Sequence, residues 1–323
     1  MKIVILGAGA LGSIAAAHLA RAGQDVALIA RGPRAKLLAE RGVTVTGLSD
    51  FTVQVPISER PQELDACDAL MFTPKTYDTQ TALEGVRNLK PQMAFSVQNG
   101  VVKDEHLAEV FGWEHTFGCI ANFSGEVKDD GSVHFTRNEG LYLGDLPDGL
   151  SEGTRALVSI FDNAGIKAIG SERVQSVEWS KYATWLGLTA VSVLSRLYTH
   201  ELYQDDGLDE LQTTLTRETV ALATAVGVEV MDLGGLIFPK TMSVAASTGE
   251  CVDVLKKAGA AMEANGTVTH RMSALQDLLR GRQLEIEETY GYAVSKAREL
   301  GVPMPAMETC YKLLAGINHN LRS

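Results

Sequence analysis

The residues with the clearest chemical meaning stand near the start of the chain. There Gly7-Ala8-Gly9-Ala10-Leu11-Gly12 directly follows the apolar run Lys2-Ile3-Val4-Ile5-Leu6. Glycines spaced G-x-G-x-x-G suit a turn that must cradle phosphates. Gly7 would make the tight turn off the strand, Gly9 would let a pyrophosphate approach the backbone, and Gly12 would let the next helix pack closely. A helix opening here, with Ala10 and Leu11 in its first turn, offers free N–H groups and the positive end of its dipole to the phosphates. A glycine-rich turn needed for packing alone would not require all of these glycines directly between a strand and a helix.

A second strand, Asp25 to Ala30, completes a strand–turn–helix–strand unit and ends at Arg31. An enzyme that reads the ribose 2′-hydroxyl of NAD usually carries a carboxylate there. None is present, and Arg31 instead offers a charge-assisted fork suited to a 2′-phosphate. Arg34 stands nearby as a second candidate. The reading is therefore NADP in preference to NAD. A methyltransferase also has a glycine-rich first loop, but it too usually wants an acidic residue after the second strand.

These residues need a scaffold that puts strand ends side by side. Buried strand patterns recur at 69–73 and 93–97, the latter ending at Gln98-Asn99-Gly100, with helical patterns at 34–40 and 79–89. Val43 to Val55 carries two β-rich pieces, and 117–123, 131–136 and 140–144 read as further strands. Strands alternating with helices predict an α/β, Rossmann-type doubly wound sheet. From Val174 onward the pattern is helical with almost no strand signal. The uncharged stretch Tyr182 to Ser195 reads as a buried helix, too short to span a bilayer. The expected organisation is an NADP-binding domain over 1–170 and an all-helical substrate and catalytic domain over 171–323.

Composition narrows the function classes. The 323 residues carry a net charge of -11, which argues against a nucleic-acid surface. Cys67, Cys119, Cys251 and Cys310 form no CxxC pair, and the seven histidines no HxxxH or HExxH cluster. Neither a disulfide framework nor a metal site is expected. The apolar run at the start is short, cut by glycines and lacks a cleavage site, so no signal peptide is expected. A cytoplasmic protein without membrane partners follows.

With these pieces in order, the sequence resembles the ketopantoate reductase (2-dehydropantoate 2-reductase) family along nearly the whole chain. The resemblance rests on Gly7 to Gly12 with Arg31, on Lys75, on Gln98-Asn99-Gly100 and on Glu178-Trp179-Ser180-Lys181. It continues through Met272 to Asp277, Leu284 to Glu287 and Gly301 to Pro305. It implies a 2-keto acid reductase of pantothenate biosynthesis with NADP as cofactor and Lys181 as general acid. It further implies that Ser273 bonds the substrate carboxylate and that Glu285 contacts its polar groups. Asn99 would lie near nicotinamide and substrate, and Lys75 would contact the cofactor. Each has a plainer reading: a snorkelling lysine, a helix cap, one of several solvated carboxylates, a turn asparagine, a loop lysine.

One departure bears on substrate. The family commonly has asparagines four and eight residues after the lysine, where this chain has Trp185 and Thr189. On a helix Lys181, Trp185, Leu188 and Ser192 share a face. An indole and a hydroxyl there favour a more apolar 2-keto acid, unless Trp185 simply fills the core. A non-catalytic NADP-binding regulator is the rival from another class, and a proton donor is something it would not need. Oligomeric state is open, with a homodimer among the alternatives.

Overall fold

A computed structural model describes residues 1–64 and 66–322 of the chain. It consists of two compact units, Met1–Gln175 and Ser176–Ser323.

In the first unit β1 (Lys2–Leu6) leads through α1 (Ala10–Arg21) to β2 (Asp25–Ile29) and α2 (Gly32–Arg41). Next come β3 (Val43–Gly47), β4 (Phe51–Val53), β5 (Ile57–Ser58), β6 (Ala66–Phe72), α3 (Thr79–Glu84), β7 (Lys90–Ser96) and α4 (Lys103–Phe111). The unit closes with β8 (Thr116–Val127), β9 (Val133–Asp145), α5 (Glu152–Asn163) and β10 (Ala168–Gly170). Among the described residues the strands form one sheet in the order β4-β3-β9-β8-β7-β6-β1-β2-β5, with β10 beside β9.

The apolar run of β1 is explained by burial on both sides. Ile3 and Ile5 enter one core with Ile14 of α1 and Phe161 of α5, while Val4 and Leu6 enter another with Leu83 and Leu107. A strand covered on both faces reads as continuously apolar, not alternating. The parallel partners of β1 are β2 and β6, with Leu6 level with Ile29 and Phe72, and Phe72 level with Ser96 of β7. The carboxyl ends of four strands therefore lie side by side.

Several elements differ from the sequence expectation. The helix expected over 79–89 stops at Glu84, where Gly85 caps it and tighter bonds follow, Val86 N–H to the Leu83 carbonyl at 3.0 Å and Leu89 N–H to Val86 at 2.8 Å. The two strands expected at 131–136 and 140–144 are one strand, β9. Register shifts opposite Asn122/Phe123 and Ser124/Gly125 mark irregularities that break the apolar alternation. Helices α4 and α5 and the short strands β5 and β10 lie outside the expected elements, although Ser151 accepts from the Thr154 N–H at 3.3 Å as an ordinary cap of α5.

The second unit is helical. It holds most of α6 (Val174–Ser195), then α7 (Thr199–Leu202), α8 (Asp206–Ala225), α9 (Pro239–Val244) and α10 (Thr248–Ala264). It continues with α11 (Ser273–Leu279), a π-helical turn at Glu287–Gly291, α12 (Tyr292–Leu300) and α13 (Pro305–Arg322). The buried helix expected from Tyr182 to Ser195 lies inside α6. Its Gly187 meets α8 so closely that a Cβ would lie 2.9 Å from the Gln212 carbonyl oxygen and 3.0 Å from Thr216 Oγ1. Among the described residues no helix is long and apolar enough to cross a membrane.

Candidate active site

In the first unit the glycine-rich turn leaves β1 at its carboxyl end. Gly7 has φ of 110°, which a residue with a Cβ rarely adopts. A Cβ on Gly12 would overlap the Gly7 carbonyl oxygen and lie 2.7 Å from Thr73 Oγ1, so α1 touches the turn through bare backbone. Gly9 caps α1 and has nothing within 4 Å of its Cβ direction. The surface beside Ala10 and Leu11 is thus backbone only, with first-turn N–H groups that lack helical acceptors. This arrangement fits a dinucleotide's pyrophosphate.

The turn is tied to its neighbours. Gly7 N–H donates to the Ile29 carbonyl at 3.1 Å, and the Thr73 hydroxyl faces the Leu6 and Gly7 carbonyls at 2.9 Å each. Gln98 Nε2 donates to the Pro74 carbonyl and to Thr79 Oγ1, both at 2.9 Å, which joins the end of β7 to the segment after β6. These bonds hold the loops that carry Arg31, Lys75 and Asn99. Lys75 opens a short turn after β6 and Asn99 precedes Gly100, whose φ is 88°. Thr73 and Gln98 are positioning residues. The signal for Thr73 was a polar residue at the end of a buried strand.

Arg31 is exposed beside the end of β2, and its guanidinium lies against Gly85, where a Cβ would come within 2.9 Å of Nη2. No carboxylate stands at that strand end, since Ala30 to Ala35 reads Ala-Arg-Gly-Pro-Arg-Ala. Arg34, the second candidate, makes three hydrogen bonds within the first unit. Nε donates to the Ala8 carbonyl at 3.2 Å, Nη1 to the Gly131 carbonyl at 2.5 Å, and Nη2 to Ser13 Oγ at 3.2 Å. One of these bonds braces the glycine-rich turn directly, and the Ser13 hydroxyl that Arg34 meets donates to the same Ala8 carbonyl.

In the second unit α6 carries two distinct faces. Gly187 marks the face against α8. Lys181, Trp185, Leu188 and Ser192 follow one another along a different face, with Thr189 adjoining. Lys181 is half-buried, while Thr189 and Ser192 are fully buried with hydroxyls that have no hydrogen-bond partner among the described residues. Trp185, 8% exposed, packs against Tyr290 with ring centroids 6.2 Å apart and planes at 40°.

Glu285 is buried just ahead of the π-helical turn. Tyr182 donates to the Thr289 carbonyl at 2.6 Å and Tyr290 to the Leu186 carbonyl at 2.7 Å, two reciprocal bonds that join α6 to that turn. Burial pushes both phenols well above their ordinary pKa, so each stays a donor. No sequence pattern announced this pair. Ser273 is exposed at the first position of α11, where Met272 is the cap. The plainer reading of Ser273 as an N-cap therefore does not hold.

A glycine-rich turn at the carboxyl edge of a parallel sheet, an arginine at the second strand end and a helical unit bearing a lysine define a dinucleotide-dependent oxidoreductase. Comparison with known proteins identifies the branch. Residues 3–148 match the family model described as ketopantoate reductase PanE/ApbA, and residues 173–318 its C-terminal counterpart. The 2-dehydropantoate 2-reductase of Archaeoglobus fulgidus is 26% identical over 320 residues, covering 99% of each chain. A PanE/ApbA family ketopantoate reductase from Ralstonia eutropha superposes with a TM-score of 0.82 at 24% identity, covering 100% of both chains. D-mandelate dehydrogenase, solved with NADH and anilino(oxo)acetate, gives a TM-score of 0.85 at 18% identity with the same coverage. The chain belongs to the ketopantoate reductase family. It is an oxidoreductase of the CH–OH group that works on a keto acid with a nicotinamide cofactor.

Proposed function

We propose that this enzyme reduces a 2-keto acid to the 2-hydroxy acid with NADPH, and that it favours substrates with apolar side chains at least as much as ketopantoate itself. The observation that carries the substrate reading is the Trp185–Tyr290 contact. It puts aromatic surface on the helix face that also bears Lys181. D-mandelate dehydrogenase, bound to anilino(oxo)acetate, lends support, since this fold accepts an oxo acid with an aryl group.

Each residue has its own task. Gly7, Gly9, Ala10, Leu11 and Gly12 would hold the pyrophosphate and Arg31 the 2′-phosphate, Lys75 would contact the cofactor, and Asn99 would lie near nicotinamide and substrate. When bound, NADPH supplies the hydride. Lys181 gives its proton to the alkoxide that develops on the carbonyl oxygen. Ser273 bonds the substrate carboxylate, Glu285 its polar groups, and Trp185 and Thr189 flank the side chain. The working form is a cytoplasmic homodimer; a ketopantoate reductase from Staphylococcus aureus with this fold is dimeric. Sedimentation would read the state of this chain.

The decisive experiment compares kcat/KM for ketopantoate and for an apolar 2-keto acid of similar size, in the wild type and in Trp185→Asn. The wild type should show little preference for ketopantoate, and the substitution should move the ratio toward it by roughly tenfold or more, since a site built to bond a hydroxyl rejects its absence. A strong wild-type preference for ketopantoate, unchanged by the substitution, overturns the role of Trp185.

A further inference from the structure

We propose that Tyr182 and Thr289 form a hydroxyl relay that positions Glu285 relative to Lys181; the assignment rests on the reading of those two as active-site groups.

Tyr182 follows Lys181 on α6, and its phenol donates to the Thr289 backbone carbonyl at 2.6 Å. The Thr289 hydroxyl in turn donates to the Glu285 carbonyl. Two hydrogen bonds therefore connect the neighbour of the lysine to the backbone of the glutamate. The members are almost fully enclosed, with Tyr182 2% exposed, Thr289 0% and Glu285 8%. On the other side of Glu285, the Leu284 N–H donates to Asn318 Oδ1 of α13 at 2.8 Å. Glu285 is thus held through its own carbonyl and through the amide just before it.

The π-helical turn is part of the same device. In a plain α-helix the Thr289 carbonyl would accept from the Ala293 N–H. Here the Tyr182 phenol bonds that carbonyl, and the Ala293 N–H also bears on the phenol oxygen. Nearby, the Gly291 N–H reaches back five residues to Ile286 at 3.0 Å. A side chain inserted into a helical ladder is a known cause of such local widening, and π turns are frequent at functional sites. The Tyr290 bond to Leu186 also joins α6 to the turn, but it does not pass through Glu285.

Removing one oxygen should therefore move Glu285 without changing the shape of the core. The experiment measures kcat, KM and their pH dependence in wild type, Tyr182→Phe, Thr289→Val and Thr289→Ser. Thr219→Val serves as a control, since Thr219 is a buried hydroxyl on α8 bonded to the Leu215 carbonyl at 2.9 Å. Tyr182→Phe and Thr289→Val should each lower kcat by up to ~10²-fold, the scale of a misplaced group, and shift its pH profile. NADPH affinity should stay unchanged, and Thr289→Ser should restore activity. Thr219→Val should lower only the melting temperature. Wild-type kcat and pH profile in Tyr182→Phe overturn the relay. Hydrogen exchange supplies a second readout independent of turnover: amides of 284–291 should exchange faster in Tyr182→Phe and Thr289→Val, and unchanged exchange there also overturns it. A wild type that reduces no 2-keto acid would instead sink the proposed function, while faster exchange would still support the relay.

Discussion

Arg34 donates to the carbonyl of Ala8 at 3.2 Å, in the middle of the turn that would meet the pyrophosphate. Ser13 Oγ donates to the same carbonyl at 3.1 Å and accepts from Arg34 Nη2. The turn is therefore braced from behind by side chains that need never touch the ligand. Arg34→Gln should loosen it and weaken NADPH and NADH by similar factors, on the order of tenfold for loss of the charged bond to Ala8. Titration by nucleotide fluorescence reads both affinities. A loss confined to NADPH would mean that Arg34 contacts the 2′-phosphate instead.

Arg31 should behave differently. Its guanidinium has the exposure and place to meet a 2′-phosphate, at a strand end without a carboxylate. Arg31→Ala should weaken NADPH by roughly 10–100-fold, the value of a charge-assisted bond, and leave NADH nearly unaffected. Equal losses for both cofactors would remove Arg31 from the 2′-phosphate site.

Lys181 carries the proton in the proposed chemistry. Lys181→Ala should lower turnover by ~10²–10⁴-fold, the usual range for general acid catalysis, with NADPH affinity nearly unchanged. Wild-type turnover in single-turnover and steady-state assays would refute that role.

Asp209 offers a test through stability. It is buried on α8, its carboxylate oxygens make no hydrogen bond among the described residues, and burial raises its pKa to about 7, with Lys256 opposing and Asp206 and Asp205 adding to the rise. The folded pKa lies above the unfolded one, so between the unfolded value near 4 and about 7 the folded state binds more protons. Stability attributable to this group should be present below that window, fall as pH rises through it, and level off above. Asp209→Asn should raise the melting temperature over wild type more at pH 8 than at pH 5. Equal gains at both pH values, by scanning calorimetry, would show that the carboxylate is already ionised in the folded protein at pH 5.

The parts legible in the sequence are those written in local pattern. The β1 turn was readable because each glycine answers a backbone need, and the long helix around Lys181 because an uncharged run of that length has few alternatives. The helix over 79–89 was overextended because apolar spacing continues through Val86 and Leu89 while Gly85 ends the hydrogen-bond ladder. The strand β9 read as two because bulges interrupt its alternation. The bracing bonds of Arg34 and Thr73 and the Tyr182–Thr289 bond were invisible for another reason. Their partners are 26, 66 and 107 residues away, and periodicity carries no information at that range.

The two faces of α6 also bear on how such an enzyme changes over generations. Gly187 is bound to the close approach of α8, where even a methyl group collides with backbone. Trp185, two residues before Gly187, meets Tyr290 of the π-helical turn. Under the proposed reading, exchanges at Trp185 can retune substrate choice while Gly187 keeps the helix seated and Lys181 keeps the chemistry. One helix in this chain thus holds positions that inheritance must preserve beside one that selection is free to revise.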